Sequence, residues 1–271
     1  MKAFAIRDGY ENTGKNLAYL IYYEKEKTFY IELPEEADEW ETPLLLSSFV
    51  KRGEKTVNAY FSRLWVQQRI VPPDRQNLGR ILRENGLREY DEFALLMLAN
   101  GRCAQDDYYL APVSKKTLLS EFPKRYAHRV EEVVPLENAT LLVFFRNGEV
   151  KKCAVQKAAP RNEAFRPVLN REELFCQVGV QVGGYGICWG ENLAVSDEAL
   201  YRTGQKIGLE FSDFVSFLKY RTVNAEEAAR LLECSRQNIS DLVKRGKLHP
   251  VKTGAKNTLF LKSEILQRKW E

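Results

Sequence analysis

The chain has 271 residues, 44% hydrophobic and 29% charged, which is globular composition in a length too great for one comfortable hydrophobic core. Mean hydropathy is −0.41, no apolar run approaches the roughly 18 residues of a membrane helix, and Met1-Lys2-Ala3-Phe4-Ala5-Ile6-Arg7-Asp8 turns charged too early for a secretory leader, so a cytoplasmic protein without membrane contact is expected. Net charge is +4, yet residues 221–271 alone hold 11 Lys and Arg against 6 Asp and Glu, which places any nucleic-acid contact in that segment.

In chain order, residues 17–23 and 28–33 are rich in aromatic and β-branched side chains and predict a hairpin across Glu24-Lys25-Glu26-Lys27, stopped by Pro34. An acidic stretch from Glu35 to Glu41 precedes predicted helices over 43–51, 58–70, 74–85 and 90–99, ended by Gly53, Pro72-Pro73, Gly86 and Gly101. Asp74 and Asp91 are the expected N-caps. Tyr108-Tyr109-Leu110 closes residues 1–113 as an N-terminal α+β domain. Within it Trp65 reads as core. Arg69, Arg75, Arg80, Arg83 and Arg88 read as solvated or paired with the acidic stretch, the alternative being a basic surface backed by Trp65. Asp106 and Asp107 read as turn residues.

Residues 114–129 read as a connector. Strands are then predicted at 130–134, 140–145 and 149–155, with Asn147-Gly148 supplying a hairpin turn. A short helix at 171–177, strands at 178–182, 186–189 and 193–195, and a helix opened by Ser196-Asp197-Glu198 complete a small β-rich α+β domain over 130–208. Gly179, Gly183, Gly184, Gly186 and Gly190 crowd together without the spacing of a dinucleotide or phosphate loop, which favours tight turns. An amphipathic helix from Phe211 to Tyr220, capped by Ser212, leads to the C-terminal domain. The run Phe165-Arg166-Pro167-Val168-Leu169, with Glu173-Leu174-Phe175 and Gly186-Ile187-Cys188-Trp189-x-x-Asn192-Leu193, resembles an uncharacterised small bacterial domain family. Its members occur fused to helix-turn-helix domains or beside small toxin-like genes. The resemblance implies a partner-binding module and nominates no catalytic residue.

Residues 221–271 carry the most information. Asn224-Ala225-Glu226-Glu227 has the form of a capping box for a helix running to about Glu233. Ser235 caps a second helix, stopped by Gly246, with Ile239, Leu242 and Val243 on one face and Gln237, Ser240, Asp241 and Lys244 on the other. A hairpin with a basic tip at Thr253-Gly254-Ala255-Lys256 follows, then a last helix capped by Ser263. The series Ser235-Arg236-x-x-Ile239-x-x-Leu242-Val243-Lys244-Arg245-Gly246-Lys247-Leu248, followed by Val251-Lys252 and Gly254, resembles the winged helix-turn-helix of excisionase-like and MerR-like DNA-binding domains. The resemblance implies that Arg236, Gln237, Asn238, Ser240 and Lys244 meet the major groove. It places Lys252, Lys256 and Asn257 on the wing and makes Arg245 and Lys247 phosphate contacts. Asp241 departs from the pattern: it accepts from cytosine, pairs with Lys244 or Arg245, or weakens binding.

Five cysteines, Cys103, Cys153, Cys176, Cys188 and Cys234, form no C-x-x-C pair and read as free thiols; His128 and His249 stand apart from other ligands. No catalytic residue, metal site or cofactor is expected, and the protein is not read as an enzyme. The fold class is multidomain α+β. The expected function is sequence-specific binding of double-stranded DNA by a transcriptional regulator, as antitoxin and autorepressor of a toxin–antitoxin-like operon. Two alternatives stand beside it: a scaffold sequestering a toxin or kinase encoded nearby, and an excisionase-type recombination accessory. One such module gives a small interface, so tight binding calls for a homodimer or a second DNA-binding surface.

Overall fold

The computed structural model describes residues 1–10, 14–159, 162–207, 211–252 and 258–270. The chain divides into two compact units, Met1–Phe122 and Pro123–Glu271. Helices accompany antiparallel sheets in both, which is the α+β class expected from the sequence.

In the first unit, β1 (Lys2–Asp8), β2 (Ala18–Tyr23), β3 (Thr28–Glu32), β4 (Thr56–Val57) and β5 (Tyr108–Val113) form one sheet in the order β4-β3-β2-β1-β5. The expected hairpin is the β2–β3 pair, with Tyr22 opposite Phe29. Strand β1 was not legible as a strand. It lies between β2 and β5 and is buried from Ala3 to Ile6, so no polar alternation marks it, and alanines dilute its β-formers Phe4 and Ile6. Helices α1 (Leu44–Lys51), α2 (Ala59–Gln67), α3 (Leu78–Glu84) and α4 (Glu92–Leu98) follow the predicted order. Asn58 caps α2 by accepting from Phe61 N, and Asp91 caps α4 by accepting from Ala94 N at 2.7 Å. Asp74 does not cap α3. Residues after Pro72-Pro73 form turns instead, closed by Arg75 N to Pro72 O and Leu78 N to Arg75 O, and the helix begins four residues later than the Asp74 cap position.

Phe4, Leu20, Tyr22, Phe29, Ile31, Leu46, Trp65 and Leu96 belong to the core of this unit. Trp65 is buried as expected. Arg69 is neither solvated nor paired with the acidic stretch. Its guanidinium lies 3.8 Å from the Trp65 ring centroid and makes a partly buried ion pair with Asp106. Asp106 also accepts from Tyr108 N at 3.3 Å, so it is a structural anchor as well as a turn residue. Arg63 pairs with Glu92, and Arg80 pairs with Glu84 one helical turn away.

Tyr22 is stacked between Phe29 and Phe93, at centroid distances of 4.7 and 4.2 Å. Burial first, then Asp91 and Glu24, push its phenol up from 10.0 to about 12. The folded state therefore holds the proton that the unfolded chain gives up near pH 10. The stability contributed by this group is complete below pH 10 and falls as pH rises towards 12. Urea midpoints of the N-terminal unit are expected to drop across that window, and Tyr22→Phe should flatten the drop.

The predicted connector is helical. Ser114 caps α5 (Lys115–Glu121), accepting from Thr117 N at 3.0 Å, and Leu118 and Phe122 are buried. The second unit opens with α6 (Pro123–Ala127), followed by β6 (Val130–Leu136), β7 (Thr140–Phe145), β8 (Val150–Ala154) and the short α7 (Val155–Ala158), α8 (Arg166–Leu169) and α9 (Glu172–Phe175). Next come β9 (Gly179–Val180), β10 (Gly186–Trp189), β11 (Leu193–Ser196), α10 (Asp197–Thr203), β12 (Gln205–Lys206) and α11 (Phe211–Arg221). The strands make two antiparallel sheets in the orders β12-β8-β7-β6 and β11-β10-β9. Val143, Phe145, Phe165, Trp189 and Leu200 contribute to their shared core. Arg129 pairs with Asp197 at 2.6 Å and lies over the Tyr185 ring.

The glycine cluster serves turns and close backbone approach. Gly184 has φ +80°, and a Cβ there would stand 2.5 Å from the Val130 carbonyl oxygen; one on Gly186 would stand 2.2 Å from that of Val195. Ser212 lies inside α11, not before it. The polarity of α11 also reverses the amphipathic expectation, since Asp213 and Arg221 are buried while Phe214, Val215 and Leu218 are exposed. Among the described residues no helix is long and apolar enough to cross a membrane. The five cysteines are free thiols, and burial pushes Cys153 up to about 11.

Candidate nucleic-acid interface

The C-terminal segment is built from β13 (Thr222–Asn224), α12 (Ala225–Leu231), α13 (Arg236–Lys244), β14 (Leu259–Leu261) and α14 (Lys262–Trp270). The capping box forms as the sequence implies. Asn224 Oδ1 accepts from Glu226 N and Glu227 N at 2.9 Å, and Glu227 Oε2 accepts from Asn224 N at 2.9 Å. Between the helices Glu233 takes φ +56°, and Cys234 N donates to Ala229 O at 2.9 Å, which turns the chain sharply. Ser235 Oγ then accepts from Asn238 N at 3.2 Å and starts α13. Gly246, at φ +64°, ends it, with Gly246 N bonded to Val243 O and Lys247 N to Leu242 O. This closure satisfies the last carbonyls and needs the left-handed backbone that glycine adopts without cost.

Ile239 anchors α13 in a small core with Val223, Ala228, Ala229, Leu248, Phe260 and Ile265, and Leu242 and Val243 pack against it half-buried. With that stripe turned inwards, Arg236, Gln237, Asn238, Ser240 and Lys244 are all exposed on the other side. Arg245 and Lys247, at the C-terminal end of the helix, are also exposed. The base of the wing pairs through Val251 N to Leu259 O at 2.7 Å and Leu259 N to Lys252 O at 3.2 Å, with Lys252 exposed. Lys256 and Asn257 lie outside the described residues. Strand β14 pairs with β13, Phe260 opposite Val223. Ser263, expected to cap the last helix, lies inside α14 and is buried.

Acidic side chains border this surface. Arg236 is ion-paired with Glu226 of α12. Asp241 accepts from Gln237 Nε2 at 3.4 Å and stands 3.9 Å from Lys244 Nζ, so of its expected partners it engages Lys244. His249 Nδ1 meets Glu264 Oε1 at 2.8 Å, tying the start of the wing to α14. Among the described residues no group of His, Cys, Asp and Glu has the arrangement to hold a metal ion. His128 stacks on Tyr201 with centroids 3.6 Å apart.

One feature of the module had no signal in the sequence. Arg221 at the end of α11 is buried, with Nε 2.9 Å from Glu132 Oε1 of β6 and Nη2 donating to Val178 O at 3.3 Å. Lys262, the first residue of α14, shares this site electrostatically: burial first, then the neighbouring Arg221, push it below the ordinary lysine range. Burial pushes the Glu132 carboxyl up against the pull of Arg221, and pushes Arg221 down. Gln267 of α14 donates to Glu131 at 2.9 Å. The helix-turn-helix is thus held against β6 by polar contacts between residues far apart in the chain.

Against known proteins, a family model described as a protein of unknown function (DUF2442) matches residues 130–214, and one described as a helix-turn-helix domain matches residues 222–271. No curated protein and no solved structure matches the chain. The C-terminal residues are a helix-turn-helix domain, which supports a DNA-binding role, and they follow a segment of the DUF2442 type.

Proposed function

We propose that the chain is a sequence-specific DNA-binding transcriptional regulator. The observation that carries this reading is the exposed outer face of α13, where Arg236, Gln237, Asn238, Ser240 and Lys244 stand free of the core that Ile239 anchors. Arg236, Gln237 and Ser240 read base edges in the major groove. Asn238 and Lys244 meet the same groove, while Arg245, Lys247, Lys252, Lys256 and Asn257 set the module on the phosphates. Arg236 must first leave Glu226; exchange of an exposed ion pair costs about 1 kcal/mol or less, small beside a bidentate contact to guanine.

The test is a mobility shift on the DNA upstream of the chain's own gene, across a salt series. The logarithmic slope is expected to be about −0.9 for each phosphate neutralised. Arg236→Ala should relax preference at one base pair, whereas Lys252→Ala should weaken all duplexes alike and reduce the slope by about 1. Equal affinity of the unmodified protein for every duplex overturns base reading.

A second role favours the same chain as an antitoxin that binds a toxin or kinase encoded nearby. The supporting observation lies in the N-terminal unit. Trp40 and Leu44 are 87% and 91% exposed in and just after the acidic stretch, so a contact there combines apolar anchors with a run of negative charge.

A further inference from the structure

Helix α11 docks by its charges. Asp213, buried, stands 3.2 Å from Lys152 Nζ of β8, and Arg221 is buried on Glu132. Phe217 meets Phe144 with centroids 5.3 Å apart, and the Tyr220 hydroxyl lies 3.4 Å from Cys176 Sγ. These contacts define the inward side. On the outward side Phe214, Val215 and Leu218 are 52%, 50% and 56% exposed. Spaced i, i+1 and i+4, they form one stripe along the helix. An exposed large apolar stripe opposite buried charges is the reverse of what docking a helix onto its own domain requires.

We infer that this stripe is where two copies of the chain meet, α11 against α11 in antiparallel about a two-fold axis, with Phe214 of each copy on Leu218 of the other. Two observations select a second copy over a different protein. The first is size. A half-exposed phenylalanine offers about 100 Å² and the three residues together about 300 Å², against about 800 Å² per partner in a stable complex. Such a patch is too small to hold a separate protein tightly; two copies meet on it weakly and reversibly in free solution, and it suffices to couple them once DNA holds them close together. The second is position. Arg221 ends α11 and Thr222 begins β13, so no linker separates the stripe from the helix-turn-helix. Pairing α11 therefore fixes the spacing of two α13 helices, which a two-half-site operator needs. In this respect the inference rests on the DNA-binding reading; its test does not.

The experiment compares the full chain with Phe214→Lys, Leu218→Glu and an equimolar mixture of the two. Because the substituted positions are exposed, circular dichroism should be unchanged. In sedimentation at high protein concentration without DNA, the unmodified chain should show weak, reversible dimerisation. Each variant alone should lose it. The mixture should regain it, because one contact of the mixed dimer becomes Lys opposite Glu and the other is the original Phe opposite Leu. On the upstream duplex, the unmodified chain should bind cooperatively in pairs, and each single variant should lose at least about tenfold in apparent affinity. An unmodified chain that stays monomeric at every concentration, or variants that associate as it does, overturns the inference. So does a mixture no better than its components, or loss of another protein's binding with self-association unchanged. If dimerisation follows the variants but no duplex is bound, the pairing stands and the DNA-binding reading fails.

Discussion

Glu132→Leu is expected to destabilise the Pro123–Glu271 unit by about 3–5 kcal/mol, the cost of breaking a buried ion pair by removing one partner. The side chains of Glu132 and Arg221 are 5% and 4% exposed. Lys262 sets the sign of a further effect. One carboxylate faces two cations here, so losing Glu132 leaves Arg221 and Lys262 facing each other without a counter-charge. Arg221→Met leaves Glu132 one cation and should therefore cost less. The double variant Glu132→Leu/Arg221→Met should be more stable than Glu132→Leu alone, since replacing both partners of a buried pair by apolar groups is often near neutral. Urea denaturation gives the ranking, and hydrogen exchange should place the loss in residues 123–270. Arg221→Met proving worse than Glu132→Leu would remove Lys262 from the site.

Ile239→Ala is expected to cost about 2–5 kcal/mol, the range for truncating a fully buried aliphatic side chain to alanine. The helix-turn-helix core has few residues to share that loss: six are buried around Ile239, two of them alanine. Exchange protection should fall across α12 and α13 while the Met1–Phe122 unit keeps its own. Affinity for the upstream duplex should fall in proportion to the fraction of the module that unfolds, since apparent affinity scales with the binding-competent population. Ser240→Ala, on the exposed side of the same helix, is the contrast. It should leave stability within about 0.5 kcal/mol, so any loss of affinity it causes is a loss of contact.

Local chemistry made most of the C-terminal module legible. Asn224 and Glu227, Ser235, and Gly246 are each recognisable from a residue or two of context, because a cap satisfies backbone groups of its own turn. The 3.6-residue spacing of Ile239 and its neighbours told which side of α13 turns inwards. The β2–β3 hairpin was legible in the same way, from a dense run of β-formers on either side of a charged turn. Strand β1 was not, since its burial comes from two flanking strands that arrive from elsewhere in the chain. The Asp74 cap failed because Pro72-Pro73, immediately before it, set turns that compete with helix initiation.

What the sequence determined by itself is therefore the set of elements whose causes lie within a few residues: caps, turns, hairpins, the α+β class, and a charged helix-turn-helix at the end of the chain. Only the tertiary structure decided how charges are spent. Arg69 lies on Asp106, Arg221 on Glu132, and Asp213 on Lys152, at sequence separations that no local pattern encodes. A lysine or arginine looks the same in a sequence whether water or a carboxylate surrounds it. Burial, which makes the partner obligatory, exists only once the chain has closed around the pair.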